Sequence, residues 1–244
     1  MDIQLPTAIV TGASSGYGVG IAKVLIQRGH NVFITARNAE KLEAVASQIG
    51  ATAIVADATS GSDWDRVIET VMKATGHIDV LINNAGAGGK IAPIEEQTDE
   101  EITQTLMLNL NSVFFGCRRV APIMRQSKRG TIINISSICA KYSWPGWSVY
   151  SAAKAGIERL SKGLYLELRE AGVRVTCLTP SWGDTEFSQN SNIAGHPSLS
   201  PEIRAACTKP EELGEIVANI VTTPPNLEII EMTVVPNVQE ISPL

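Results

Sequence analysis

Seven short runs of β-branched and aliphatic residues punctuate this chain: TAIV (7–10), NVFIT (31–35), TAIVA (52–56), IDVLI (78–82), TIINIS (131–136), VRVTCL (173–178) and EIIEMTVV (228–235). None alternates cleanly between apolar and polar, so each reads as a strand buried on both faces, as in a parallel sheet. Helical patterns separate them, at Val19–Gly29, Glu40–Ile49, Asp63–Thr75, Thr98–Gln126 and Ser151–Ala171. Thr98-Asp-Glu-Glu101 and Thr208-Lys-Pro-Glu211 are spaced as capping boxes. Gly29, Gly50, Gly76 and Gly172 stand where helices should stop. Strand and helix alternate without a Pro/Gly linker, which predicts one doubly wound α/β domain with a seven-stranded, mainly parallel sheet. Only SQNSNIAGHPSLS (188–200) breaks the pattern, and it reads as a mobile loop.

Composition narrows the function. With 44% hydrophobic and 18% charged residues, the 244-residue chain is globular. A net charge of −5 without a Lys/Arg cluster argues against a nucleic-acid-binding surface. Cys117, Cys139, Cys177 and Cys207 form no C-x-x-C pair and no metal spacing with His, so they read as reduced core thiols and no metal is expected. Neither a signal peptide nor an apolar stretch approaching the roughly 20 residues of a membrane span is visible, and a cytoplasmic protein is expected.

The stretch TGASSGYG (11–18) has two chemical readings. Gly12 to Gly16 satisfies G-x-S-x-G, the nucleophile elbow of serine hydrolases. Ser14 follows the first strand, however, where that arrangement does not place its nucleophile, and only Asp184 and His196 could be drafted as partners. As a glycine-rich turn between strand and helix, the same stretch offers backbone N–H groups and a helix dipole to a dinucleotide phosphate. Its spacing is G-x-x-x-G-x-G, and no Lys-Ser/Thr succeeds it as in a P-loop.

Together with motifs further along the chain, this stretch resembles the short-chain dehydrogenase/reductase (SDR) family, a Rossmann fold. The resemblance rests on Thr11-Gly-Ala-Ser-Ser-Gly-Tyr-Gly18, Asn83-Asn-Ala-Gly86, Asn109, Ser137 and Tyr150-x-x-x-Lys154, in family order and spread over nearly the whole chain. It implies a cofactor half in residues 1–90, a catalytic and substrate half in 98–244, and a substrate loop at 186–208. The activity implied is interconversion of a carbonyl and an alcohol by hydride transfer, with Tyr150 as general acid/base. An unperturbed Tyr has a pKa near 10, and bringing it to neutrality needs about 4 kcal/mol of preferential phenolate stabilisation. Lys154, one helical turn on, puts an ammonium on the same face and is expected to lower it together with the nicotinamide's charge. By resemblance, Lys154 also binds the nicotinamide ribose, Ser137 hydrogen-bonds the substrate oxygen, and Asn109 anchors a proton-relay water.

Gly12, Ser14, Ser15, Gly16, Tyr17 and Gly18 would then hold the pyrophosphate side. Asp57 and Ala58 would meet the adenine, Asn84, Ala85 and Gly86 the ribose side, and Pro180, Gly183 and Thr185 the carboxamide region. NAD-preferring members usually carry Asp at the end of strand two, whereas here Ala36 precedes Arg37, whose planar fork suits a 2′-phosphate. The expected cofactor is NADP(H).

Three departures from the family pattern stand out, one of them the absence of the usual D-G-G near the C-terminus. Gly183 replaces a branched residue whose backbone holds the carboxamide, which implies a looser contact. Tyr17 replaces the usual Ile or Leu. EMTVVPNVQ, SWP (143–145) and TEFS (185–188) resemble the subgroup acting on serine and 3-hydroxy acids. Trp144, Trp147 and Trp182 lie on segments that should wall the substrate site with Ser137 and Tyr150. No Lys or Arg follows Lys209, so no basic tail is left to clamp a carboxylate. An uncharged ketone or aldehyde, or an amine held by aromatic faces, is therefore expected over a small 3-hydroxy acid. A non-catalytic NADP(H)-sensing protein is the alternative of another class. Excess apolar positions along 102–124 and 157–168 suit a homo-oligomer, dimer or tetramer.

Overall fold

The computed structural model of the protein describes residues 4–191, 193 and 196–240. Its strands are β1 (Thr7–Thr11), β2 (Asn31–Ala36), β3 (Thr52–Val55), β4 (Val80–Asn83), β5 (Gly130–Ile135), β6 (Val173–Pro180) and β7 (Glu231–Val234). Its helices are α1 (Gly16–Gln27), α2 (Ala39–Ile49), α3 (Gly61–Thr75), α4 (Asp99–Leu106), α5 (Ser112–Ser127), α6 (Ser148–Leu168), α7 (Phe187–Asn190), α8 (Pro201–Ala205) and α9 (Pro210–Val221). The seven strands form one sheet in the order β3-β2-β1-β4-β5-β6-β7, and every pairing is parallel.

The uninterrupted apolar runs have a direct cause: alternate residues of each strand enter different cores. Ala8 and Val10 of β1, with Val80 and Ile82 of β4 and Ile133 of β5, pack against Ile21 and Leu25 of α1 and Leu213 and Val217 of α9. Ile9, Leu81 and Ile132 face the other way, onto Trp64 and Val67 of α3, Met124 of α5 and Ile157 of α6. Both faces are covered, so neither can be polar. All four cysteines are free and buried. No helix among the described residues is long and apolar enough to cross a membrane.

Several boundaries differ from the sequence expectation, by up to three residues in α6 (Ser148–Leu168), and four of the differences have an identifiable cause. Helix α1 begins at Gly16, inside the glycine motif, rather than at Val19. The expected helix 98–126 is interrupted by a π-helical turn at Met107–Asn111. There the Asn109 side-chain amide takes the Thr105 carbonyl (3.0 Å), competing with the backbone ladder. The Thr98–Glu101 capping box is present, but the second is replaced by half a box one residue later than expected. Lys209 is the N-cap, and its backbone N–H donates to Glu212 (2.7 Å). Thr208 is held instead in a bridge to Gly183, so the helix starts only after it. Finally, β7 spans only 231–234, and the Glu228 carboxylate accepts the Val175 N–H from the sheet edge (2.6 Å).

The strand order reverses between β1 and β4, whose carboxyl ends carry the glycine motif and Asn83–Gly86. Open α/β sheets bind ligands in the crevice at such a switch point.

Candidate active site

A cavity of about 980 Å³ runs along the carboxyl ends of the strands, from Arg37 and Asp57 past the glycine motif to Ser137, Tyr150 and Trp147. Gly12, Ser14, Ser15, Gly16, Tyr17, Ala58, Asn84, Ala85, Gly86, Lys154, Pro180, Gly183, Thr185, Trp144 and Trp182 also line it. Two expected residues stand behind the wall. Gly18 is buried against the backbone of Gly12 and Ala13, where a Cβ would fall 2.5 Å from the Gly12 carbonyl oxygen, so it permits the turn without facing the cavity. Asn109 is fully buried behind Gly86.

At the nucleotide-facing end, the first turn of α1 carries no acidic residue, and Ser15 at its N-cap makes no side-chain cap. Its amides are therefore left for an anion. Gly12 (φ +65°) approaches β4's loop so closely that a Cβ would lie 2.7 Å from Ala85 Cα. The Asn84 amide is committed to the carbonyls of Thr11 (2.9 Å) and Gly12 (3.2 Å), tying the two loops together. Arg37 is exposed at the cavity's edge. The Asp57 carboxylate accepts from the Thr59 N–H and hydroxyl (both 2.8 Å), which shapes the turn after β3. These features fit a dinucleotide: a long crevice, a glycine cradle, helix amides free of a side-chain cap, and a cation at the cavity's edge.

At the other end, Tyr150 and Lys154 project from one face of α6 and are both buried. Lys154 Nζ donates to the Ile135 carbonyl (3.0 Å) and lies 5.7 Å from the Tyr150 ring centre. Burial pulls Lys154 down to about 8. Burial pushes the Tyr150 phenol well above its ordinary value, Cys139 pushes the same way, and a hydrogen bond with Ser137 opposes both. The expected lowering of Tyr150 by Lys154 is thus not found in the protein itself, because desolvation dominates. Ser137 caps a 3₁₀ turn after β5, its hydroxyl accepting the Cys139 N–H (3.2 Å). Asn109 donates to the Ala87 carbonyl (2.8 Å) and accepts the Ala87 N–H (3.1 Å). A Cβ on Gly86 would lie 2.8 Å from Asn109 Oδ1 and 3.3 Å from Lys154 Nζ, so the glycine brings those two groups near each other.

Aromatic rings enclose this end. Trp147 meets Tyr150 edge-on at 5.5 Å, Phe187 lies 5.7 Å from the Tyr150 ring, and Trp182 packs on His196 at 5.2 Å. Sequence reasoning missed Phe187, although it sits in the quoted TEFS stretch, and Ile138 and Cys139, which come directly after Ser137. The hydrolase grouping is not assembled: Asp184 is paired with Arg204 (2.5 Å) and Lys209 (2.9 Å), while His196 bonds Ser198 (2.7 Å). The substrate loop expected at 186–208 contains α7 and α8, and residues 192, 194 and 195 of it lie outside the described residues.

The short chain dehydrogenase family model matches residues 6–194. The chain belongs to the short-chain dehydrogenase family. It is an oxidoreductase by that membership. Among its relatives, an uncharacterized oxidoreductase of Staphylococcus aureus is 30% identical over 232 residues, covering 94% of this chain and 96% of the relative. A 3-ketodihydrosphingosine reductase of Bacteroides thetaiotaomicron is 36% identical over 193 residues, covering 79% of this chain and 69% of the relative. Among solved structures, the closed form of a serine dehydrogenase complexed with NADP+ superposes with a TM-score of 0.90 at 28% identity, covering 98% of both chains.

Proposed function

We propose that this short-chain dehydrogenase is an NADP(H)-dependent enzyme interconverting a ketone or aldehyde and an alcohol, with Tyr150 as general acid/base. The observation that carries this reading is the convergence of Ser137, Tyr150 and Lys154 at one end of a cavity whose other end holds free helix amides and Arg37. When bound, the nicotinamide supplies the two-electron chemistry, exchanging hydride with the substrate carbon. The chain's own residues handle the oxygen. Ser137 and Tyr150 present hydroxyls to one carbonyl oxygen, and the buried phenol, held protonated, is ready to donate in the reducing direction. Lys154, with its pKa near 8, is placed to pass a proton onward, and Asn109 to anchor the water that refills it. Residues 1–90 mainly grip the nucleotide, and residues from 98 onward supply the chemistry.

Cofactor choice is decided at the end of β2. Ala36 offers no carboxylate to repel a phosphate, and Arg37 lines the cavity beside it. The serine dehydrogenase it resembles is complexed with NADP+. Arg37→Ala should weaken NADPH binding about tenfold or more, the worth of a charge-assisted hydrogen bond, while barely moving NADH. Ala36→Asp should reverse the preference. Calorimetric titration with both nucleotides checks this; equal effects on NADPH and NADH would remove Arg37 from the reading.

Among the described residues, the cationic side chains lining the cavity are Arg37 and Lys154, whereas the His196 imidazole, its pKa lowered by burial, and Asp57, Glu186 and Glu240 line it as well. A neutral carbonyl substrate fits these walls better than a carboxylate. A second reading, oxidation of a small amino alcohol, is favoured by the same two glutamates and by the likeness to serine dehydrogenase. For assembly we propose a homo-oligomer, with Phe114 on α5 and Leu166 on α6 exposed for burial by another copy.

A further inference from the structure

Two of the departures from the family pattern, Tyr17 and Gly183, are 166 residues apart in sequence and touch in space. A Cβ on Gly183 would lie 2.3 Å from the Tyr17 hydroxyl oxygen, 2.5 Å from Cζ and 3.1 Å from Cε1. Gly183 is not among the residues with positive φ, so its backbone does not demand glycine. The demand is for space alone, and the Tyr17 ring occupies it.

Tyr17 stands in the first turn of α1, beside the glycine cradle. Its hydroxyl donates to the Ser181 carbonyl at a long 3.4 Å. Burial holds the phenol well above its ordinary value, so it remains a donor. The segment it meets, Ser181–Thr185, is also held elsewhere: the Ser181 hydroxyl and the Trp182 N–H (3.3 Å) both donate to the Gln239 side-chain oxygen, and Trp182 packs on His196. The Ser181 N–H donates to Val234 (3.0 Å), Thr208 bridges Gly183, and Asp184 pairs with Arg204 and Lys209. Tyr17 and the neighbouring Gly16–Thr185 approach (a Cβ on Gly16 would lie 3.2 Å from Thr185 Cβ) are what tie it to the glycine cradle.

We infer that Tyr17 is a positioning residue which, by filling the space left at Gly183, locks the Ser181–Thr185 segment to the phosphate cradle and thereby sets nucleotide affinity. The inference rests on the reading of the cavity as an NADP(H) site. The looser contact expected from glycine at 183 is thus compensated by the larger side chain at 17. One prediction separates this from ordinary core packing: the two positions must be interchangeable in size, since a volume-conserving swap is tolerated where either change alone is not.

The test is a double-mutant cycle on the full chain, reading NADPH affinity by calorimetry and melting temperature without nucleotide. Gly183→Ala should weaken NADPH binding about tenfold and lower the melting temperature. Tyr17→Leu, which folds without added bulk, should weaken binding severalfold and raise the KM for NADPH while leaving kcat nearly intact. Tyr17→Leu combined with Gly183→Ala should recover affinity to within about threefold of wild type. Additive losses in the double variant, or unchanged affinity in Tyr17→Leu, overturn the inference. Wild-type protein that binds no NADPH overturns the functional reading itself, a result distinct from bound nucleotide without coupling.

Discussion

Tyr150→Phe should lower turnover about a thousandfold, within the range of general acid–base catalysis, while NADPH affinity stays nearly unchanged. The substitution removes one oxygen from a ring wedged between Trp147 and Phe187, and both edge contacts persist in phenylalanine. The phenol is buried and held protonated, so phenylalanine removes the hydroxyl proposed to donate, beside Ser137, to the substrate oxygen. Packing is conserved and the loss should appear in kcat. Stopped-flow or steady-state NADPH consumption checks it; turnover within a few-fold of wild type would remove Tyr150 from the chemistry.

Lys154→Met should make the protein without nucleotide more stable near neutrality, by an amount that shrinks as pH rises. Burial lowers the folded-state pKa of Lys154 to about 8, from 10.5. Between those values the folded state binds fewer protons than the unfolded chain, so stability rises with pH across that window. Below pH 8 the folded protein holds a buried ammonium at a cost of about 3 kcal/mol, which methionine avoids. Losing the hydrogen bond to Ile135 returns about 1 kcal/mol, leaving a net gain of about 2 kcal/mol at pH 7. Cys117, Cys139 and Cys177 have thiols raised by burial to about 12, 11 and 11, so they make stability fall above pH 9.0. They are common to both proteins; Lys154 lowers only the Cys139 thiol, and its removal keeps that thiol protonated across pH 7 to 10, so the comparison still isolates Lys154. Urea unfolding of wild type and variant at pH 7, 8, 9 and 10 measures the gap, and a gap constant with pH would contradict a desolvated Lys154. The same variant should be inactive, since stability and catalysis make opposite demands on a buried charge.

Much of this fold is legible in the sequence for identifiable reasons. Ile9, Leu81 and Ile132 enter one core while Val10, Ile82 and Ile133 enter the other, so each parallel strand announces itself as an unbroken apolar run. Helix starts are readable where a side chain does the capping, as at Thr98, and misplaced where tertiary structure decides. Thr208 resembles a cap, yet its backbone is taken by the bridge to Gly183. The π turn at Met107–Asn111 arises because Asn109 bonds to both Thr105 and Ala87, and no periodicity signals a partner on another loop.

At the site, motif order is enough to list residues that line one cavity, but not to grade their environments. Gly18 carries the same letter as Gly12 and Gly16 yet faces the backbone instead of the cavity. The direction of Tyr150's pKa depends on how much water its pocket excludes, which spacing from Lys154 does not reveal. Tyr17 and Gly183 are visible in the sequence as two unrelated oddities, and they become one feature only because the Tyr17 hydroxyl stands 2.3 Å from where a Cβ on Gly183 would lie.

The most direct test of the central claim tracks NADPH absorbance on mixing the protein with a panel of ketones and aldehydes, neutral and carboxylated. The expected result is oxidation of NADPH in preference to NADH by at least one neutral carbonyl, abolished in Tyr150→Phe. NADPH bound tightly but consumed with no carbonyl, and produced from no alcohol or amino alcohol in reverse, would contradict that claim and favour a nucleotide-sensing protein.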